Sequence, residues 1–173
     1  MSEVRKSIAS AVGSMTGVLS LDTAQSKHLL ALLRRSAASG IDEPECMGWF
    51  FTRVPEDIQN SGGNLNKAEK AIYLAISVFA VCRKGDNPEQ SMVSAMKRAG
   101  IDRSKLEGIE AAASFEDLKM PLYLLAKHIT SKGQGFSYTA LALDLYDIQF
   151  DKMKTVRKWE REYAMKGVTN DEK

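Results

Sequence analysis

The sequence predicts an all-α protein, and three observations carry that expectation. Apolar residues recur at helical spacing along most of the chain, in segments dominated by Ala, Leu, Lys and Met. Alternation of apolar and polar residues, the mark of a half-buried strand, is scarce, and neither Asn-Gly nor Asp-Gly occurs to close a hairpin. The chain has 173 residues, 44% of them apolar, enough for one compact domain or two small ones sharing a core.

The first clear helix covers residues 24–37, AQSKHLLALLRRSA. Residues 40–66 contain Gly40, Pro44, Gly48, Pro55, Gly62 and Gly63 and read mostly as loop. One helical turn is expected there, at Met47–Arg53, with Trp49, Phe50 and Phe51 packing inward rather than stacking on bases. Residues 67–83 form the most apolar helix. Ala68, Ala71, Ile72, Ala75, Ile76 and Phe79 share a stripe, with Leu74, Val78 and Val81 beside it. A helix apolar over most of its girth belongs at the centre of a core. Asn87-Pro88-Glu89 opens a short helix through Ala99, Asn87 as cap and Pro88 in the first turn. Gly100 ends it, and Asp102 or Ser104 caps the next. Residues 114–132 form either one helix bent at Pro121 or a turn followed by a helix that Pro121 opens. Ser137 caps a helix over 137–148. The last helix runs from about 150 to 166 and stops near Gly167, leaving VTNDEK as a frayed tail. No internal repeat is visible.

Composition excludes several classes. The longest apolar run, AIYLAISVFAVC, has 12 residues, short of the roughly 18 needed to span a membrane. The opening stretch, MSEVRKSIASAVGSMTGVLS, lacks a compact leucine-rich segment, so no secretory signal is expected and the cytoplasm is the default location. Cys46 and Cys82 lie far apart without metal-ligand spacing and read as reduced, buried thiols. The formal net charge of +2 hides an uneven distribution. Residues 41–66 hold Asp42, Glu43, Glu45, Glu56 and Asp57 against Arg53 alone, so the rest of the chain is basic. That balance permits a nucleic-acid partner.

Two basic faces sharpen the point. With about 100° between successive residues of a helix, Met153, Val156, Trp159 and Tyr163 fall in one arc. Lys154, Arg157, Lys158 and Arg161 fall in another. Glu162 and Glu160 compensate this second stripe only in part. Similarly, Leu29, Leu30, Leu32 and Leu33 share the buried side of the first helix, and Lys27, His28, Arg34 and Arg35 the opposite side. Either basic face could be merely solvated; together they point toward phosphate binding.

No catalytic constellation accompanies them. His28 and His128 lack a neighbouring Cys or acid at a catalytic spacing, and no HExxH, Walker A or GxGxxG occurs. The GGN at 62–64 reads as a plain loop. No enzymatic activity, cofactor or metal is expected. SAMKRAGIDRSKLEGIEAA mimics a helix-turn-helix around Gly100. Against that, Met96 sits where a small residue is wanted at the helix crossing. Glu107 and Glu110 would also face phosphates.

In order and spacing, HLLALLRR, AIYLAISVFA, SMVSAMKRAG, FEDLKMPLYLLAKHI, FSYTALALDLYDIQ and VRKWEREY resemble the CasB family over residues 24–165. That family is the small subunit of the type I-E CRISPR surveillance complex called Cascade. The resemblance implies a compact helical bundle of two packed lobes, divided here at residues 1–100 and 101–173. It further implies a non-catalytic role beside other Cascade subunits and a second copy of the chain. The partners implied are guide RNA and displaced target DNA, contacted through their backbones, with no membrane. Arg34 and Arg35 resemble the family's paired arginines; Arg157 and Lys158 resemble its basic positions before the C-terminal Trp. Two other readings stay open: a helix-turn-helix regulator using residues 92–111, and a helical adaptor that binds only protein.

Overall fold

The computed structural model of the protein describes residues 1–82 and 86–165. Among these residues it consists of nine α-helices and two short 3-10 turns, with no strand. The helices are α1 (Glu3–Leu19), α2 (Ala24–Ser39), α3 (Pro44–Arg53), α4 (Lys67–Cys82), α5 (Met92–Arg98), α6 (Glu107–Glu110), α7 (Phe115–Ser131), α8 (Tyr138–Ile148) and α9 (Lys152–Ala164).

Helix α4 is the centre, as its all-round apolarity requires. It packs against α1, α2, α7 and α8, and Ala71, Ile72, Ala75, Ile76, Val78 and Ala80 are fully buried. Helix α8 also lies against α1 and carries α9 on its flank, while α5 packs against α9 and α7. The buried side chains from Ile8 to Trp159 form one continuous apolar cluster. Most helices open on a side chain that occupies an orphan backbone N–H. Thr23 caps α2, Ser114 caps α7, Ser137 caps α8 and Asp151 caps α9.

Several expectations need correction. The expected first helix is in fact the second. Helix α1 precedes it, capped by Ser2 and burying Ile8, Ala11, Val12, Met15 and Leu19. That spacing is helical, but Gly13, Gly17 and the serines between dilute it. Helix α3 is longer than the single turn expected, because Pro44 serves as its first residue rather than breaking it. Phe50 is fully buried, edge-on to Tyr73 at 5.1 Å, whereas Phe51 is 38% exposed and Trp49 only partly covered. Asn87 caps no helix. Its Oδ1 accepts from the Glu89 N–H, and the surrounding backbone is tied to the 134–137 loop. Asn87 N–H donates to the Phe136 carbonyl at 3.2 Å, and Ser137 N–H to the Gln90 carbonyl at 2.7 Å. The helix therefore starts only at Met92, capped by Ser91.

Other details agree. Gly100 adopts φ 71°, the left-handed geometry that ends α5, and Asp102 accepts from the Ser104 N–H to open the 3-10 turn beyond it. Helix α7 is a single helix with Pro121 inside it. Gly108 of α6 comes so close that a Cβ there would lie 3.2 Å from the Pro121 ring. Cys46 and Cys82 are buried free thiols. No helix among the described residues is long and apolar enough to cross a membrane. The expected stop near Gly167 and the tail lie outside the described residues.

Candidate nucleic-acid interface

The sequence of α9 builds a two-sided helix, and the structure shows how narrow its buried side is. Trp159 is 2% exposed, Val156 and Thr155 are buried, and Tyr163 is half-buried. The Tyr163 hydroxyl donates to the Ile101 carbonyl at 2.9 Å, and the Lys97 ammonium lies 5.9 Å over its ring. Met153, expected in this seam, is 52% exposed. Because α9 packs chiefly against α8 and α5, the seam is centred on Thr155, Val156 and Trp159. Met153 falls beyond its edge.

Outside the seam, Lys154, Arg157, Lys158 and Arg161 are all exposed, as the helical spacing predicts. They are not equivalent. Among the described residues Lys154, Arg157 and Arg161 have no ion-pair partner. Lys158 donates to Asp144 Oδ1 at 2.6 Å and lies 3.8 Å from Glu162. The other Asp144 oxygen accepts from the Trp159 indole N–H at 2.9 Å. Asp144 is thus a buried carboxylate on α8 held by two consecutive residues of α9. Burial works against the Lys158 ammonium. The hydrogen bond and charge of Asp144, helped by Glu162 and Asp147, outweigh it and raise Lys158 above the ordinary lysine value. Asp144 was missed as a site residue. The signal lay in LALDLYDI, where two acids, Asp144 and Asp147, interrupt an otherwise apolar run.

Glu160, on the other border of the stripe, faces away from it. Arg103 Nε donates to it at 2.6 Å and the same guanidinium stands 3.8 Å from Glu110. A hydrogen bond with Glu160, then burial, raises the Glu110 carboxyl, while Arg103 lowers that of Glu160. Glu160 therefore does not neutralise Arg157, three residues before it.

The α2 stripe behaves differently. Lys27 pairs with Asp22 at 2.7 Å, His28 with Glu45 at 2.9 Å and Arg35 with Glu43 at 3.6 Å. Arg34 Nε donates to the Ala80 carbonyl at 2.9 Å, tying α2 to the end of α4. The acidic segment that looked like a separate loop folds back onto α2. Its basic face is thereby compensated from outside the helix. The two stripes stand on different layers, α2 against α1, α3 and α4, and α9 against α8 and α5.

The helix-turn-helix pattern loses its second helix. Beyond Gly100 stand a 3-10 turn, Arg103–Leu106, and the four-residue α6, too short to lie along a groove. No group of three or more His, Cys, Asp or Glu residues among the described residues could hold a metal ion.

Comparison with known proteins fits this architecture. The family model described as CRISPR-associated protein Cse2 matches residues 29–163. The fold superposes on the crystal structure of CasB from Thermobifida fusca with a TM-score of 0.71. That match has 16% identity and covers 95% of this chain and 99% of that one. No curated protein matches. With the family model spanning α2 to α9, the chain belongs to the CRISPR-associated Cse2 family.

Proposed function

We propose that the protein is a non-catalytic small subunit of a type I-E Cascade ribonucleoprotein and that it holds nucleic-acid backbone through α9. The observation that carries this reading is the row Lys154, Arg157 and Arg161, exposed and without an ion pair among the described residues. Charges left unmatched by the fold are available to phosphates, and phosphate contacts read no sequence. In a guide-directed complex base pairing supplies the specificity, so a sequence-blind face suits a strand-steadying subunit. Guide RNA and the displaced DNA strand are the partners proposed, with other Cascade subunits and a second copy beside it. Lys27, Arg34 and Arg35 enter this reading as secondary contacts, because each is already engaged within the fold.

The test is salt-dependent binding of mixed-sequence single strands and duplexes. Each phosphate contact adds about 0.7 (single strand) to 0.9 (duplex) to the magnitude of the slope of log K against log salt. Changing Arg157 and Arg161 to Ala should remove about 1.4–1.8 from the slope. Folding should stay within about 0.5 kcal/mol per change. Affinity that stays flat as salt rises would overturn the reading. A strong preference for one short duplex site would instead favour a regulator. A guide RNA and larger subunits that co-purify from the host would support membership of the complex.

A further inference from the structure

Lys158 sits in the α9 row by sequence, yet the geometry separates it from its neighbours. Its ammonium is hydrogen-bonded to a carboxylate that cannot follow it outward. The opposite oxygen of Asp144 is fixed by the buried Trp159 indole at 2.9 Å, and Asp144 is itself buried in α8. Lys158 can keep Asp144 with one N–H and turn the others to solvent, but its charge is then already matched by a fixed carboxylate. To move fully onto a phosphate it would have to leave Asp144 charged, buried and held by one neutral donor. That desolvated charge opposes the move more strongly than an exposed phosphate contact favours it. Lys154, Arg157 and Arg161 face no such restraint.

We infer that Asp144 is a positioning residue for the α9 face: it withdraws Lys158 from phosphate contact and confines the footprint to Lys154, Arg157 and Arg161. The inference rests on the phosphate-binding reading of α9 and deepens it. At about 1.5 Å rise per helical residue, those three cations span about 10 Å along the helix axis. That matches a short stretch of backbone rather than a long groove. Asp144 also ties down the rotation of α9, because it grips residues 158 and 159 together, while Arg157 and Arg161 stay exposed.

The informative variants are Lys158→Ala, Asp144→Asn and their combination, compared with Arg157→Ala. Asn keeps an oxygen for the Trp159 N–H while removing the hydrogen-bonded charge that holds Lys158, leaving Glu162 at 3.8 Å as its weaker ion-pair partner. Binding of a mixed-sequence single-stranded oligonucleotide is measured across a salt series. Lys158→Ala strands the Asp144 charge and should lower stability. Under conditions where circular dichroism shows it folded, it should nonetheless leave the slope unchanged, whereas Arg157→Ala lowers the slope by about 0.7. Asp144→Asn should raise the slope by about 0.7, and the double variant should return to the parent value. Damage to the fold cannot mimic this gain. A Lys158→Ala loss equal to that of Arg157→Ala, or no gain in Asp144→Asn, overturns the inference. An independent arm uses no nucleic acid: limited acetylation with a soluble amine reagent, read by mass spectrometry. Lys158 should react more slowly than Lys154, and Asp144→Asn should remove the lag; equal rates in the parent overturn the inference. Absence of salt-dependent binding by the parent would sink the phosphate reading, and the acetylation arm would still decide the role of Asp144.

Discussion

At the scale of single residues, Trp159 and its partners decide how α9 attaches. The indole is buried and donates to a buried carboxylate, so two separate losses can be told apart. Trp159→Ala removes both the aromatic packing and the hydrogen bond and should cost about 3–5 kcal/mol, measured by urea denaturation. Trp159→Phe keeps most of the packing but strands Asp144 Oδ2, and should cost about 1.5–3 kcal/mol, the worth of a hydrogen bond to a charged group. A Trp159→Phe variant as stable as the parent would show that the Asp144 bond contributes nothing, whereas equal costs for the two variants would show that the lost packing contributes nothing. Burial of Trp159 and exposure of the cations beside it were legible in VRKWEREY, because helical periodicity alone separates them. The fate of Lys158 was not, since its partner lies 14 residues away on another helix. Lys158 also has a pH signature. Its folded value is raised, so the stability it lends is complete below the ordinary lysine value and disappears as pH climbs past it. Cys46 has the same sign. Burial, then Glu45, Glu43 and Asp42, push its thiol up to about 11, so the fold weakens as alkaline pH ionises it.

At the scale of elements, the helices legible in the sequence were those whose apolar stripe is dense. Helix α4 needed no tertiary information, and α2, α7, α8 and α9 announced themselves through spacing and caps. Helix α1 stayed hidden because two glycines and several serines dilute the same signal. Those glycines are testable. Gly13 and Gly17 face solvent on α1, and a Cβ at either would meet nothing within 4 Å. Alanine removes backbone freedom from the unfolded chain and favours the helix, so each substitution should stabilise by about 0.8–1 kcal/mol. A loss of thermal stability in Gly13→Ala or Gly17→Ala would mean that this face of α1 is covered. Between α6 and α9 the prediction concerns charge. Glu110 is raised because it shares its site with Glu160, so ionising it opposes folding as pH rises above the ordinary glutamate value. Glu110→Gln should therefore raise the melting temperature at neutral pH, and the advantage should fade in acid as the parent carboxyl takes up its proton. An advantage independent of pH would assign the effect to something other than charge.

At the scale of the whole molecule, the question is whether residues 1–100 and 101–173 act as separate lobes or as one folding unit. Helix α8 belongs to the second segment, yet it packs on α1 and α4 of the first, and a single apolar cluster runs from Ile8 to Trp159. The links between residues 86–90 and 134–138 stitch the segments again, through Gln90 to the Gly135 carbonyl at 2.7 Å and Asp86 to the Tyr138 N–H at 3.3 Å. None of this was legible in local periodicity, which reports which face is buried but not against what. We propose that the two segments unfold together. The two tryptophans provide the test, because Trp49 lies on α3 in the first segment and Trp159 on α9 in the second. In Trp159→Phe the remaining fluorescence reports the first segment, and in Trp49→Phe it reports the second. Each variant's fluorescence midpoint in urea should coincide with its own helical circular dichroism, the signature of a two-state transition. If either tryptophan signal moves at a urea concentration where most of the helix persists, the segments are independent units. The boundary near residue 100 would then be a boundary of folding as well as of sequence.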